Sequence, residues 1–436
     1  MLFDEALQYL LSLGHETLAI KLGLANTESL LEALGKPQNA FRKVQIAGTN
    51  GKGSTAVMLD AISRAAGLET ALYTSPHLVS ITERMRFGGE EISTHDFARL
   101  TTKVRDAAIR LNDAGALPTL PTFFEHLTAI FLLGCTDART ELAILETGLG
   151  GRLDATTAAQ AEVVAITPVA IDHQEYLGST LTEIASEKAA IIRPGVLAVI
   201  APQDTEVLKV IEERCQATGV AAHFAGRGIE VNGATESGHL NVTFETEEDR
   251  YEDVTLGLRG RHQAVNAAVA IRLAEALRSR GFTISRAAII EGIERARHAG
   301  RLELWAGTPA ILFDGAHNGA SAVALSDYLA EFVKAPITLL FGAMRDKELT
   351  KMAALLFPQA QSLILTGMNN PRAASPEMLR PLVPRDFDSK RVALASSTAD
   401  AARLALEVTP PHGLILVTGS LYLVGEIREL LSKEEA

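Results

Sequence analysis

Short apolar runs recur along the chain, and many of them close on Gly, Thr, Asp or His. VQIAGTN, ETALYTS, ELAILETG and EVVAITPV come first; PAILFDGAHN, ITLLFGAM, SLILTG and GLILVTGS follow. Helical stretches lie between most of them. Strands that alternate with helices pair in parallel, because each crossover helix carries the chain back over one face of the sheet. The expected class is therefore α/β, with mainly parallel sheets covered on both faces. Ligands of such sheets sit beyond the carboxyl ends of the strands, where these runs place their polar residues. One stretch departs from the pattern. HLNVTFETEEDRYEDVTLGL, from His239 to Leu258, alternates on both sides of an acidic turn and reads as an antiparallel hairpin.

A chain of 436 residues is too long for one ordinary core. A boundary is expected at RARHAGRLEL, after the helical stretch SRAAIIEGIERARH. It gives parts 1–297 and 298–436, the second with four strand–helix units and large enough to be a domain. The net charge of -12 would repel a phosphate backbone, so nucleic acid is not an expected partner. Cys135 and Cys215 have no metal-type spacing, which fits a reducing, cytoplasmic setting without disulfides. The start, MLFDEALQYLLSLG, has early acids and no basic segment, unlike a signal peptide. No apolar run reaches the ~20 residues that span a bilayer, so no membrane association is expected.

VQIAGTNGKGSTAVML, from Val44 to Leu59, joins a strand-like run to a helical one. The usual phosphate loop has Gly, four residues, Gly-Lys, then Ser or Thr at once. Here Ile46 holds the first glycine position, and Gly53 separates Lys52 from Ser54. The chemistry survives these changes. A glycine-rich turn into a helix, expected over Ser54 to Ala66, aims backbone N–H groups at an anion. Lys52 can reach terminal phosphates, and Ser54 supplies the hydroxyl of the first turn. Asn50, Gly51 and Gly53 complete the loop.

Glu146 ends an apolar run and precedes Gly148, Gly150 and Gly151. A carboxylate at a strand end beside a phosphate loop is a hard ligand suited to Mg2+. Thr122 to Glu125, TFFE, fits a capping box opening the helix TFFEHLTAIFLL. Phe123 and Phe124 add aromatic surface there.

GTNGKGS resembles the loop of the Mur ligase superfamily of ATP-dependent amide ligases, and more narrowly its folylpolyglutamate synthase and dihydrofolate synthase branch. Further segments match that branch in order: TSPHLVSITERMRFGGEEIS, ETGLGGRLDAT, DHQEYLG with IASEKAAI, GRHQAVNAAVA, RLE, DGAHN and GSLYLVGEIR. The resemblance implies an N-terminal phosphate-loop ATPase domain and a C-terminal Rossmann-like α/β domain. It implies two Mg2+ ions, with Ser75 and Glu146 on one and His173 and Lys188 on the other. The matching lysine of the family is carbamylated, which turns a repelled ammonium into oxygen ligands of the right sign. Thr122, Phe123, Phe124 and Glu125, with Arg152, Leu153 and Asp154, are implied folate or pterin contacts. Asn266, Arg301 and Asp314 are implied ATP contacts, and His317 with Asn318 would place glutamate or phosphate. AIKLGLANTESLLEALG resembles the pterin-side region, with Ala25-Asn26 where Glu-Arg is common. Ala299 stands where the family hinge usually has Pro.

The implied reaction joins L-glutamate to the carboxylate of a folate, of dihydropteroate, or of both, through an acyl phosphate formed from ATP. The expected protein is a monomer that acts on small molecules. A cell-wall-type ligase working on a nucleotide-sugar carrier is the nearest alternative. The SPHL…ER and GLGGRLDAT segments and the lack of an obvious extra N-terminal nucleotide-sugar domain speak against it. A nucleotide-dependent switch is the other. It would lack a reason to keep Glu146, His173 and Lys188 together, and no guanine-reading Asn-Lys-x-Asp is present.

Overall fold

The computed structural model describes residues 1–14, 23–117 and 119–434. The apolar runs become strands whose side chains are buried on both faces, Val44, Ile46, Ile144 and Val163 on one and Leu145 and Val164 on the other. Among the described residues the first sheet has eight strands: β1 (Arg42–Ala47), β2 (Thr70–Tyr73), β3 (Met85–Phe87), β4 (Glu90–Glu91), β5 (Leu142–Glu146), β6 (Val163–Ile166), β7 (Leu197–Ile200) and β8 (Ala222–Phe224). Their order is β4-β3-β2-β5-β1-β6-β7-β8, and only β3 and β4 run antiparallel to their neighbours. β1 pairs with β5 on one side and β6 on the other. The chain leaves β1 toward one side of the sheet and later returns to the other. That reversal opens a crevice at the carboxyl end of β1.

The hairpin expected over His239 to Leu258 forms as β10 (His239–Glu245) and β11 (Arg250–Arg259). A strand that the alternation does not show, β9 (Ile229–Ala234), extends it to a three-stranded sheet. β9 is mostly exposed, so it carries no apolar face to reveal it. The other large sheet follows the order β12-β13-β17-β14-β15-β16. Its strands are β12 (Glu303–Trp305), β13 (Ala310–Phe313), β14 (Ile337–Phe341), β15 (Ser362–Thr366), β16 (Val392–Ala395) and β17 (Leu414–Thr418). Only the β12–β13 pair is antiparallel, and the rest form a doubly wound α/β layer. Four of these strands match the expected units; the short β12 and the half-exposed β16 are additions. Among the described residues no helix is long and apolar enough to cross a membrane.

The helix Phe123–Asp137 opens with the expected capping box, Thr122 and Glu125 each accepting the other's backbone N–H. The box brings in His126, which has no exposed surface. Its Nδ1 faces the Thr122 carbonyl at 3.1 Å and its Nε2 lies 3.0 Å from the Tyr9 hydroxyl. Nδ1–H donates to the carbonyl, so Nε2 accepts from Tyr9. Burial pushes the imidazole down to about 4, although the Thr122 carbonyl favours its charged form. In the unfolded chain it titrates near ~6.5. As pH falls below that value the unfolded chain binds the proton first, so stability is full above ~6.5 and is lost toward 4. At pH 5 the loss from this group is about 2 kcal/mol. His126→Gln should flatten the fall in unfolding free energy between pH 7 and pH 5 by about that amount. Denaturant melts with unchanged pH dependence would refute the assignment.

Candidate active site

The crevice at β1 holds the phosphate-type loop. The helix after it spans Lys52–Ala65, two residues earlier than expected, because Gly51 at φ +90° makes the turn that a side chain resists. No side chain caps this helix, so its first N–H groups stay available to an anion. A Cβ on Gly51 would collide with the Asn266 amide oxygen, and one on Gly48 with the Thr167 hydroxyl. The loop is thus a cradle of bare backbone. Lys52 lies folded over it, its Nζ 3.3 Å from the Gly48 carbonyl and 3.2 Å from that of Thr49.

Pairing of β1 with β5 places Ile46 beside Glu146 and fixes the acidic wall of the crevice. Glu146 is buried, and its Oε2 accepts the Ser75 backbone N–H at 3.0 Å. Burial raises its pKa, while Lys52, the Ser75 N–H, Arg301 and Arg84 pull it back. A carboxylate held dry beside a phosphate cradle fits a divalent cation whose remaining ligands are a hydroxyl, phosphate oxygens and water. Ser75 lines the same cavity.

Lys188 sits on the helix Leu181–Ala189 and is 4% exposed. Its Nζ donates to the Gly48 carbonyl at 2.8 Å. Burial first and the Lys52 charge second push it down to about 7, against the pull of Asp172 and Asp154. His173, in the left-handed conformation at φ 50°, precedes a short helical turn. Burial brings its imidazole down to about 3, leaving a neutral ring of the kind that binds metals. Among the described residues no group of three or more His, Cys, Asp or Glu side chains is placed to hold a metal ion. A metal here would need Lys188, or substrate oxygens, to complete its shell.

Asp172 is the hub of this wall. Its Oδ1 pairs with Lys347 Nζ, and its Oδ2 accepts from Asn318 Nδ2 at 3.2 Å and faces His317 Nε2 at 3.5 Å. Burial alone would raise its pKa; the hydrogen bond from His317 and the Lys347 charge hold it well below the usual carboxylate range. Asn318 also donates to Asn50 Oδ1 at 3.1 Å, so the loop after β13 is tied directly to the phosphate-type loop.

The expected aromatic side is present in part. Phe124 packs against Gly148, where a Cβ would stand 2.5 Å from its ring, and lies 5.9 Å from Tyr73 between centroids. Thr122, Phe123, Phe124, Glu125 and Leu153 line the cavity. Glu125 is largely occupied: it closes the capping box and accepts from Thr27 Oγ1 at 3.1 Å. Asp154 also turns inward on its own loop, accepting from the Leu149 and Thr156 backbones and the Thr156 hydroxyl. Arg152 is exposed, is absent from the cavity wall and pairs with Glu187 at 2.9 Å. Of AIKLGLANTESLLEALG, Ala19–Leu22 lie outside the described residues; Ala25–Ala33 form a helix.

Arg301 and Asp314 come from the other large sheet. Asp314 accepts the backbone N–H groups of Leu302 and Ala316, so it braces the segment that carries Arg301. Asn266 Nδ2 donates to Gln263 Oε1 at 2.9 Å, and both lie on the helix His262–Ser279. Of the site residues expected from the sequence, all but Arg152 and Asn318 border one cavity of about 540 Å3, lined by loops of both large sheets. That is a volume for a drug-sized ligand.

Residues 46–274 match the model of the Mur ligase middle domain, and residues 300–421 that of the Mur ligase, glutamate ligase domain. The chain belongs to the Mur ligase family. Within it, the chain falls in the folylpolyglutamate/dihydrofolate synthase branch. It is 32% identical to the dihydrofolate synthase/folylpolyglutamate synthase of Bacillus subtilis over 96% of this chain and 97% of that protein. It is 34% identical to a probable bifunctional folylpolyglutamate synthase/dihydropteroate synthase of Halobacterium salinarum over 98% of this chain. It spans about half the length of that relative and of its Haloferax volcanii counterpart. Among solved structures, Mycobacterium tuberculosis folylpolyglutamate synthase complexed with ADP is 30% identical at TM-score 0.90, covering 98% of each chain. A bifunctional folylpolyglutamate synthase/dihydrofolate synthase with Mn, AMPPNP and L-glutamate bound is 27% identical at TM-score 0.85, covering 99% of this chain and 98% of the other.

Three groups of this Mur ligase site escape a reading of the sequence. Asp172 and Lys347 are 175 residues apart and only the fold joins them. The local hints are that each follows a strand end and that Asp172 opens the DHQEYLG segment. His298 stands 3.3 Å from the Ser54 hydroxyl across 244 residues; it lies in the RARHAGRLEL boundary segment, where nothing local ties it to the loop.

Proposed function

We propose that this Mur ligase uses ATP to join L-glutamate to the carboxylate of a folate, of dihydropteroate, or of both. The observation that carries the reading is a single cavity. At one end it has a bare-backbone anion cradle with Lys52, and at another the Phe123–Phe124 surface. The reported relatives and solved structures are of the folate branch, which supports this reading over a cell-wall ligase on a nucleotide-sugar carrier.

The reaction asks for placement and charge stabilisation more than for covalent help. A substrate carboxylate oxygen attacks the γ-phosphorus, the bond to ADP breaks, and an acyl phosphate forms. The glutamate amine then attacks the acyl carbon, loses a proton and expels phosphate. Lys52 leaves its loop carbonyls for the phosphates, and Arg301 adds a second charge from the opposite wall. Asn50, Gly51, Gly53, Ser54 and Asn266 hold the nucleotide. His317 and Asn318 place glutamate or the leaving phosphate, and Asp314 keeps Arg301 in range. Mg2+, held by Ser75 and Glu146 and at a second position by His173 and Lys188, would offset phosphate charge. Lys188, pushed down to about 7, carries enough neutral amine near pH 7 to take up CO2 and lose a proton as a carbamate. Residues 1–297 and 298–436 are read as two bodies that close on the substrates, in a monomeric, cytoplasmic enzyme.

Phosphate release from ATP, measured with each pterin acid with and without L-glutamate, tests the reading. Sustained release should need both acid and amine. Hydrolysis indifferent to both would make the chain a nucleotide switch rather than a ligase.

A further inference from the structure

Ser54 has partners that a helix-start hydroxyl does not need. Gln263 Nε2 lies 3.4 Å from its Oγ, and His298 Nδ1 lies 3.3 Å away on the segment leading to Arg301. Asn266 donates to Gln263 Oε1, which fixes that amide with its nitrogen toward Ser54. Gln263 therefore donates, using one lone pair of the serine oxygen. The second hydrogen of that nitrogen is directed to His262 Nε2 at 3.1 Å. His298 does not line the cavity, whereas Ser54 does. The ring reaches Ser54 over Gly53: a Cβ there would stand 2.8 Å from His298 Cε1 and 3.3 Å from Glu146 Oε2. The glycine that interrupts the usual Lys-Ser sequence is the opening through which His298 enters.

We propose that His298 is a positioning residue for the nucleotide. Its Nδ1 accepts the Ser54 hydroxyl proton, so that the free lone pair of Ser54 is presented to the cation that accompanies the phosphates. With both other directions of the oxygen assigned, one lone pair remains, on a residue that lines the cavity. Without His298 the hydroxyl rotates freely and offers its proton as readily as its lone pair. The inference rests on the nucleotide reading above, but adds a residue that touches neither substrate nor metal.

The test is ADP binding to the full chain by titration calorimetry, with Mg2+ and with EDTA. His298→Ala should weaken ADP binding about tenfold in Mg2+ and leave metal-free binding within about twofold. His298→Asn, whose side-chain oxygen can take the place of Nδ1, should recover most of the loss. In a Ser54→Ala background, His298→Ala should have no further effect. Equal affinity of wild type and His298→Ala in Mg2+ would overturn the proposal. So would equal losses with and without Mg2+, an Asn variant no better than Ala, or full additivity with Ser54→Ala. A wild-type chain that bound no ADP would overturn the nucleotide reading and this inference with it.

Discussion

Lys52→Ala should lower ligation about 100-fold or more while leaving the fold intact. The Lys52 ammonium bonds to the two loop carbonyls of Gly48 and Thr49 and to no carboxylate among the described residues. Removing it exposes those carbonyls to water and opens no apolar core, so melting should hardly move. The transferring phosphoryl group, by contrast, loses a charge placed at the helix start. A second effect follows from the geometry. Lys52 is the charge that most depresses Lys188 after burial itself. Its loss lets Lys188 hold its proton to higher pH, and protonated amine does not take up CO2. The activity left in the variant should therefore respond more to added bicarbonate than that of the wild type. Near-normal turnover in purified Lys52→Ala, at unchanged melting temperature, would sink the phosphate-loop assignment.

Lys188→Ala should also lose about 100-fold in turnover, and part of that loss should be chemically reversible. The stem of Lys188 fills a buried slot against the Gly48 carbonyl. Truncation leaves room there for a small carboxylate. If the role of the side chain is to present two oxygens beside His173, acetate or formate at millimolar concentration should restore part of the rate. Chloride at equal ionic strength should not. Carbamates fall off in acid, so mass spectrometry after acid quench is a poor check. A variant that works normally without carboxylate would end the idea, as would one that no small acid rescues although it melts like the wild type.

The features that could be read without a fold are those whose chemistry is local. A glycine turn leads into a helix, Glu146 ends a strand, and the Thr122–Glu125 capping box spans four residues. Each of these local forms is present. The His239–Leu258 hairpin was legible for the same reason, because alternation is a property of neighbours. What stayed hidden depends on long-range approach. Asp172 meets Lys347 only because β6 and β14 point their carboxyl ends at one cavity. Arg152 shows the limit from the other direction: it stands beside residues that line the cavity, yet Glu187 draws it to the surface. β9 and β16 carry no clean pattern because little of either is buried. The helix start was misplaced by two residues because Gly51 can turn where other residues resist.

The glycines of the loop are each blocked by a different distant side chain: Thr167 at position 48, Asn266 at 51 and His298 at 53. This has a consequence for how the loop can change over generations. A substitution at any one position meets a neighbour that has not changed with it, so single steps are closed. At 48 and 51 the positive φ closes paired steps as well. Position 53 alone has no such backbone demand, and its main obstacle is a ring that can shrink. Drift should thus enter this loop through 53 and 298 together. A library that varies both will recover binders that a position-by-position scan would report as impossible.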